Sequence, residues 1–407
     1  VLTANITVNS SLKENLNSDG SLKEGYVVRN WTPIGWYDNA NSKAFYFSGT
    51  FDGNGKSISG LYYYVESSDA YVYAGLFGLS NGTIKNVSVE DSYFRLNGLD
   101  NSVCRVGCVC GGNLGAITNC HNASNFTVTV NHINASVGGV CGHNFPQGII
   151  ENCNNTGEVN VTGTYMGYSC GTGGVCGWNV NGSIKGCDNK GEVIGLTNVG
   201  GVCGYNEAKN GAISEITNCY NTGEVTGTGY GVGGVSGYNI GGATSTIANC
   251  FNTGKVNGKY VNGVIGYNDD SAPIKVTNCY YLSETATDDG GKTEGQFKSG
   301  EVCYLLNGEK SNGEWGQQLG VDSYPVLDSN KTVYCGYKCL ELTYSNNQEE
   351  LTENPFHDYD NGICKGCKVY QSATLNKSGE YEIGNAGQLC WFAGLVNGTL
   401  TDDTQQN

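Results

Sequence analysis

The sequence has few of the residues that kink a chain or grip an anion. Five prolines, one methionine and three arginines (Arg29, Arg95, Arg105) are spread over 407 residues. So few arginines remove most bidentate recognition of phosphate or carboxylate. Positive charge is scarce altogether, with 22 Lys plus Arg against 38 Asp plus Glu and a net charge of −16. Such a surface repels phosphate backbones and anionic lipid, so nucleic acid is not an expected partner. No apolar run is long enough to span a bilayer, and no membrane insertion is expected. No signal peptide, wall-sorting signal or lipidation motif is legible, so an exported protein would carry those elements outside these residues. The four histidines (His121, His132, His143, His357) are scattered and suggest no nucleophile–histidine triad.

Glycine, tyrosine and cysteine are plentiful, at 63, 27 and 19 residues. Glycine at this level without a G-X-Y period excludes collagen and implies many turns. Nineteen cysteines are an odd number and would ordinarily point to a secreted disulfide framework. Their spacing points elsewhere. "GGVCGHN" at 138–144 returns as "GGVCGWN" at 173–179, "GGVCGYN" at 200–206, "GGVSGYN" at 233–239 and "NGVIGYN" at 262–268. A second phrase, such as "IENCNNTGEV" at 150–159 and "ITNCYNTGEV" at 216–225, carries Cys120, Cys153, Cys187, Cys219, Cys250 and Cys279. These follow one another at intervals of 33, 34, 32, 31 and 29, and Val87 holds the same slot in a thiol-free forerunner. A catalytic cysteine occurs once; one that returns with every repeat fills space.

A period near 32, built of short Val/Ile/Thr/Tyr pieces cut by Asn-Thr-Gly, predicts a solenoid rather than helical repeats, which need long apolar stretches at 3.6 spacing. The fold class expected is all-β: a right-handed parallel β-helix of about seven coils, two or three short strands per coil, with short helical or irregular C-terminal segments. Equivalent residues should then stack about 4.8 Å apart. Cys110, Cys141, Cys176 and Cys203 would form one column, continued by Ser236 and Ile265, and the six cysteines of the second phrase another. Parallel side chains on adjacent rungs stay near the rung spacing, wider than the disulfide Cβ separation of about 3.5–4.5 Å, so mostly reduced thiols are expected. That suits a reducing or anaerobic setting. Asn155, Asn189, Asn221 and Asn252 can bond through their amides to the rung above.

Five segments are expected. Residues 1–61 would form N-terminal strands and a cap, with Trp31 and Trp36 sealing the core and "DGNG" at 52–55 making a tight turn. Residues 62–282 carry the repeats. Within 283–334, "TEGQFKSGEVCYLLNG" reads as a helix from a Thr293/Gln296 capping box, with Phe297, Val302, Leu305 and Leu306 on one face, followed by an extended segment at 315–327. Residues 335–379 hold clustered cysteines. Residues 380–407 would be a cap segment for a following tandem module, with a helix over 384–398 and Leu389, Trp391, Phe392 and Leu395 as its apolar side.

The pattern "GGVCGYN…ITNCYNTGEV" resembles the GLUG-motif repeats of large bacterial surface proteins. "TFDGNGKSISGL" and "FKSGEVCYLLNG…WGQQLGVDSYPVL" resemble segments flanking them, so the likeness covers about 31–327. It implies an adhesin-like, secreted or cell-surface β-helix and no activity. The cysteines depart from relatives that have Val, Leu or Tyr there. "YEIGNAGQLCWFAGLVNG" at 381–398 resembles the segment that precedes "LTANITVN", here residues 2–9. One period of a tandem array, cut out of phase, would look like this.

One cluster points to metal. Cys364-x₂-Cys367, with His357 and either Cys335 or Cys339, offers the four N/S donors of a structural zinc site. The quartet expected is Cys339, His357, Cys364 and Cys367; no other cofactor is expected. A small disulfide-bridged hairpin is the alternative. "GYGVGG" at 229–234 matches a dinucleotide fingerprint in form only, because no helix follows. His143, Trp178, Tyr205, Tyr238 and Tyr267 share one repeat position and would buttress the coil or, facing outward, offer a platform for sugar rings. Asp69, Asp91, Asp100 and the pairs at 269–270 and 288–289 raise a carbohydrate-cleaving alternative. Glu158, Glu192 and Glu224 recur, but Lys255 follows them, as on a solvated face. The expectation is a non-catalytic module acting as adhesin, stalk or fibre unit. Its partners would be adjacent copies of itself and host or cell-wall glycans or proteins. A glycan-binding or glycan-cleaving β-helix is the alternative.

Overall fold

The computed structural model describes residues 1–17, 21–66, 71–99, 103–130, 134–163, 171–241, 245–269, 274–286, 291–353 and 356–400. Two compact units divide it, Val1–Glu294 and Gly295–Asn407.

The first unit is a parallel β-solenoid. One coil runs through strands Cys176–Val180, Ser183–Lys185, Asp188–Asn189, Val193–Gly195 and Val199–Gly200 before the next begins at Cys203. A coil thus holds five short strands where two or three were expected. Pieces of two or three residues are too short to leave an alternating pattern in sequence. Successive coils pair in parallel and in register, for example Ile150↔Ile184 and Cys176↔Cys203. Three sheets stack seven strands each, and a fifteen-stranded sheet joins two further ladders. Seven stacked strands make about six turns, slightly fewer than the seven coils expected.

A single residue in the left-handed conformation stands at one corner of successive coils. It is Asn119, Asn152, Asn218, Asn249 or Asn278 at φ between 51° and 54°, and Gly186 at φ 62°. Each stands directly before a cysteine of the second column. Asn and Gly tolerate this geometry where other residues are strained, which explains why the residue before the cysteine is always one of the two. The corner turns the next side chain into the core.

Inside, like stacks on like. Ile84, Ile117, Ile150, Ile184, Ile216 and Ile247 form a column with no exposure. Each contributes on the order of 1.5–3 kcal/mol by burial. Both thiol columns stand as expected. Cys110, Cys141, Cys176 and Cys203 pair in sequence, continued by Ser236 and Ile265. In the other column each sulfur accepts the N–H of the preceding cysteine, as in Cys120 N–H to Cys153 Sγ and Cys153 N–H to Cys187 Sγ, both 3.4 Å. The thiol also donates within its own coil, Cys187 to the Lys185 carbonyl at 3.3 Å. Ser236 points its hydroxyl at the Tyr238 carbonyl as Cys203 points its thiol at Tyr205. Thiol, hydroxyl and the purely apolar Ile265 all fill this column, so the slot asks for burial, not sulfur chemistry.

All eighteen described cysteines are unbridged. Burial pushes the thiols of Cys108 and Cys110 up to about 12, so they resist ionisation and attack. Titration with a thiol reagent should therefore count few groups in the native chain and at least about ten more in denaturant. Fewer than about four in denaturant would mean that the columns are oxidised.

The cap differs in part from expectation. Trp31 packs on the core and donates its indole N–H to the Gly75 carbonyl at 3.0 Å. Trp36 does not seal the core: it is 49% exposed and stacks on Phe45 in the hairpin Trp36–Asp38/Lys43–Phe45. "DGNG" is no hairpin turn either. It forms an irregularity between Asp52 and Lys56 inside one strand, Thr50–Ser59, which stays paired with Thr83–Glu90 on both sides. At the far end Tyr281 lies flat against Gly263, where any side chain would collide with its ring.

In the second unit, the single helix expected over 293–308 is two, α1 (Glu294–Lys298) and α2 (Glu301–Leu306), broken at Gly300 with φ 92°. Their buried residues are Phe297, Val302, Cys303 and Leu306; Leu305 is only half-buried. The extended segment after them makes one bridge, Gly316↔Val326, and buries Trp315. Helix α3 (Ala386–Asn397) is where it was expected, capped by the Asn385 side chain and ended by Gly398 at φ 62°. It packs Trp391 with Ala373 and Leu400, but Leu389 faces outward at 57% exposure. The hairpin Thr374–Leu375/Tyr381–Glu382 spans the boundary expected at 379/380.

A candidate metal centre

Two hairpins of the second unit bring four donors together. The first pairs Tyr334–Lys338 with Glu341–Ser345 and turns through Cys339–Leu340. Cys339 sits at the turn with φ 64°, a conformation costly for a residue with a Cβ and usual where function holds it. The second pairs Tyr359–Asp360 with Ile363–Cys364. Its turn is Asn361–Gly362, both at positive φ, the pairing a two-residue hairpin prefers. Cys364 then leads through Lys365–Gly366 to Cys367. A Cβ on Gly366 would meet Cys339 Sγ at 3.0 Å, so glycine lets the two loops close.

The ligand atoms of Cys339, His357, Cys364 and Cys367 all lie within 4.8 Å of one another. Cys339 Sγ is 3.6 Å from Cys364 Sγ, and Cys367 Sγ is 3.5 Å from His357 Nδ1. A disulfide would need about 2.05 Å. A zinc tetrahedron with Zn–S of about 2.3 Å and Zn–N of about 2.0–2.1 Å has edges of roughly 3.5–3.8 Å. The Cys339–Cys364 and Cys367–His357 separations match edges of that tetrahedron. Cys335, the other ligand weighed for this site, stands across the hairpin from Tyr344 and is not among the four.

The electrostatics agree with a ligand role. Burial opposes ionisation of Cys364, but the amides of Cys367 and Gly366, with His357 and Cys339, outweigh it and hold its thiol down at about 6. Burial and its two thiol neighbours push Cys339 up to about 12. In a pair this close one thiolate suppresses the other, and a cation would relieve both.

The repeat aromatics form a separate row on the solenoid. His143, Trp178, Tyr205, Tyr238 and Tyr267 stack at centroid separations of 4.8, 5.4, 5.0 and 5.0 Å. The first three are buried and Tyr267 is 47% exposed. Arg105 and Lys209 each lie 5.3 Å from the Trp178 ring, and Glu207 accepts its indole N–H. Burial first, then Arg105 and Lys209, hold His143 well below the usual imidazole range, so it stays neutral. This row buttresses the coil. Glu192, Glu224 and Lys255 are exposed, as a solvated face requires. Asp69, Asp100, Asp270, Asp288, Asp289 and His132 lie outside the described residues.

One set of residues escaped the sequence reading. Asn113, Asn144, Asn179, Asn206 and Asn239 form a second buried amide ladder, each Nδ2 donating to the next Oδ1 at 2.7–2.8 Å. The signal was the final letter of "GGVCGYN".

The first unit thus belongs to the parallel β-solenoids with amide ladders. More particularly, two stretches of its coils, residues 133–162 and 195–226, match the family model of the GLUG motif. No curated protein matches the chain. Among solved structures it is similar to a putative immunoglobulin A1 protease from Bacteroides ovatus, at 19% identity and a TM-score of 0.44 over 80% of this chain and 84% of that one. The fold rests on the register above, not on this likeness. No helix among the described residues is long and apolar enough to cross a membrane.

Proposed function

We propose that this chain is a non-catalytic module of a secreted or surface-displayed repeat protein, serving as adhesin, stalk or self-assembling fibre unit. The observation that carries this reading is where its polar chemistry goes. Buried amides and thiols are used up in coil-to-coil bonds, which suits a rigid spacer. The four donors of the second unit hold a structural zinc ion on this reading. All four coordination positions are protein ligands, so no position is left open for substrate. Partners are further copies, in tandem or head to tail, and host or cell-wall glycans or proteins. Leu389 and Val396 on α3, exposed at 57% and 67%, offer a neighbouring copy an apolar surface.

The reading is tested on intact producing cells with an impermeant amine label, followed by incubation of the purified chain with polysaccharides and proteins. Labelling without lysis, and no released sugar or peptide, is the expected result. Labelling only after lysis, or a released product, overturns it.

A further inference from the structure

A cleft of about 470 Å³ opens between the N-terminal cap and the first coils of the solenoid. Six aromatic side chains line it: Trp31, Trp36, Tyr37, Tyr63, Tyr71 and Tyr73. No charged residue is among those lining it, although the chain carries a net −16. We propose that this cleft binds a neutral glycan, a short stretch of uncharged pyranose rings.

The rim is open and the walls are fixed. Trp36 and Tyr71 are 49% and 47% exposed, so ring faces are available to a ligand. Trp36 is held on one side by Phe45, at 5.2 Å and 12° between planes, with Lys43 over the far ring. Asn39 clamps the backbone of Tyr71 twice: its Oδ1 accepts the Tyr71 N–H at 2.7 Å and its Nδ2 donates to the Tyr71 carbonyl at 3.2 Å. Trp31 is tied to Gly75. Rings already held in place lose little freedom on binding.

Chemistry selects the ligand. A pyranose presents an apolar C–H face and a rim of hydroxyls. Flat aromatic faces match the first, and phenol and indole edges match the second. The volume falls within the range of about 300–1,000 Å³ typical of ligand sites, room for more than one ring. A uronate or sialylated glycan would bring negative charge to a negative protein, into a cleft without a cation. The proposal deepens the surface-module reading by giving it a ligand. It rests on that reading only for where such a glycan is met.

The test uses the full chain and five neutral hexasaccharides built from glucose (α1,4, β1,4 and β1,3), mannose and xylose, with oligogalacturonate as the anionic arm. Tryptophan fluorescence is titrated with each. Saturable change with at least one neutral probe and none with oligogalacturonate is expected. Trp36→Ala and Tyr71→Ala should weaken binding at least about tenfold each, with unchanged melting, since both side chains are half-exposed. Tyr230→Ala removes one ring of another exposed stacked pair, Tyr230–Tyr260, and should leave binding unchanged. No binding by any neutral probe, preference for oligogalacturonate, or Trp36→Ala and Tyr71→Ala variants that both bind like the parent would overturn the cleft. None of these results touches cell-surface labelling, so the two readings fail separately.

Discussion

Zinc chelation under reducing conditions is expected to open residues 334–400 to trypsin while the solenoid stays folded. Lys338, Lys365 and Lys368 flank the four donors, and cleavage should appear there first. The reason is a shortage of core. Leu340, Leu342 and Phe356 are 50%, 55% and 69% exposed, so the two hairpins bury little apolar surface around Cys364. Small modules of this kind need a staple. Structural zinc contributes on the order of 10 kcal/mol to such folds, more than the few kcal/mol their cores supply. Elemental analysis should find about one zinc per chain, and less than about a tenth would end the reading.

Two variants separate metal from mere packing. Cys364→Ser should lose the zinc and reproduce the protease pattern of the chelated chain. Cys335→Ser should keep both zinc and resistance, because Cys335 lies outside the cluster. A chain that ignores the chelator yet opens with dithiothreitol would carry a Cys339–Cys364 disulfide instead. That outcome would convert the centre into a covalent staple.

What the sequence disclosed depended on how far each signal ran. Cys153, Cys187 and Cys219 recur at nearly constant spacing, and the register places them on adjacent coils, as the period demanded. Replacement of Cys203 by Ser236 and Ile265 at matching positions told that the slot was small and inward. The αL corners were written in "TNC", "ENC" and "KGC", but a single Asn or Gly reads as an ordinary loop residue until its φ is known. Asn144, Asn179 and Asn206 were overlooked because the aromatic beside them drew the functional question. At the metal centre the C-x₂-C pair was legible, whereas the choice of Cys339 over Cys335 was set by hairpin register. The glycan cleft had no linear signature at all. Trp31 and Trp36 come from the cap and Tyr71 and Tyr73 from the first coil, and only the fold brings them together.

Asn189→Asp should cost the solenoid more stability than any exposed substitution. Asn189 has no exposure, accepts the Nδ2 of Asn155 at 2.7 Å, and donates to Asn221 Oδ1 at 2.7 Å and the Gly191 carbonyl at 2.8 Å. An aspartate keeps the shape and loses both donations. Its buried charge would face the oxygens of Asn221 and Gly191, an arrangement that costs on the order of 3–5 kcal/mol. In a unit of 294 residues that corresponds to a fall in melting temperature of about 5–8 °C. Burial would raise the new carboxyl's pKa above its unfolded value. The penalty is therefore full above the folded pKa and shrinks as pH falls through it, because the protonated acid regains one donor. Position along the ladder sets the size. Each coil leans only on its neighbours, so a central break disrupts two interfaces and a terminal one disrupts one. Asn268→Asp, at the end of the other ladder where the bond from Asn239 is already 3.5 Å, should cost under about 1 kcal/mol. Calorimetry of the two variants at neutral and acid pH reads the difference. Equal melting of Asn189→Asp and Asn268→Asp would mean that the amide columns are decoration and that the apolar column beneath them alone holds the coils in register.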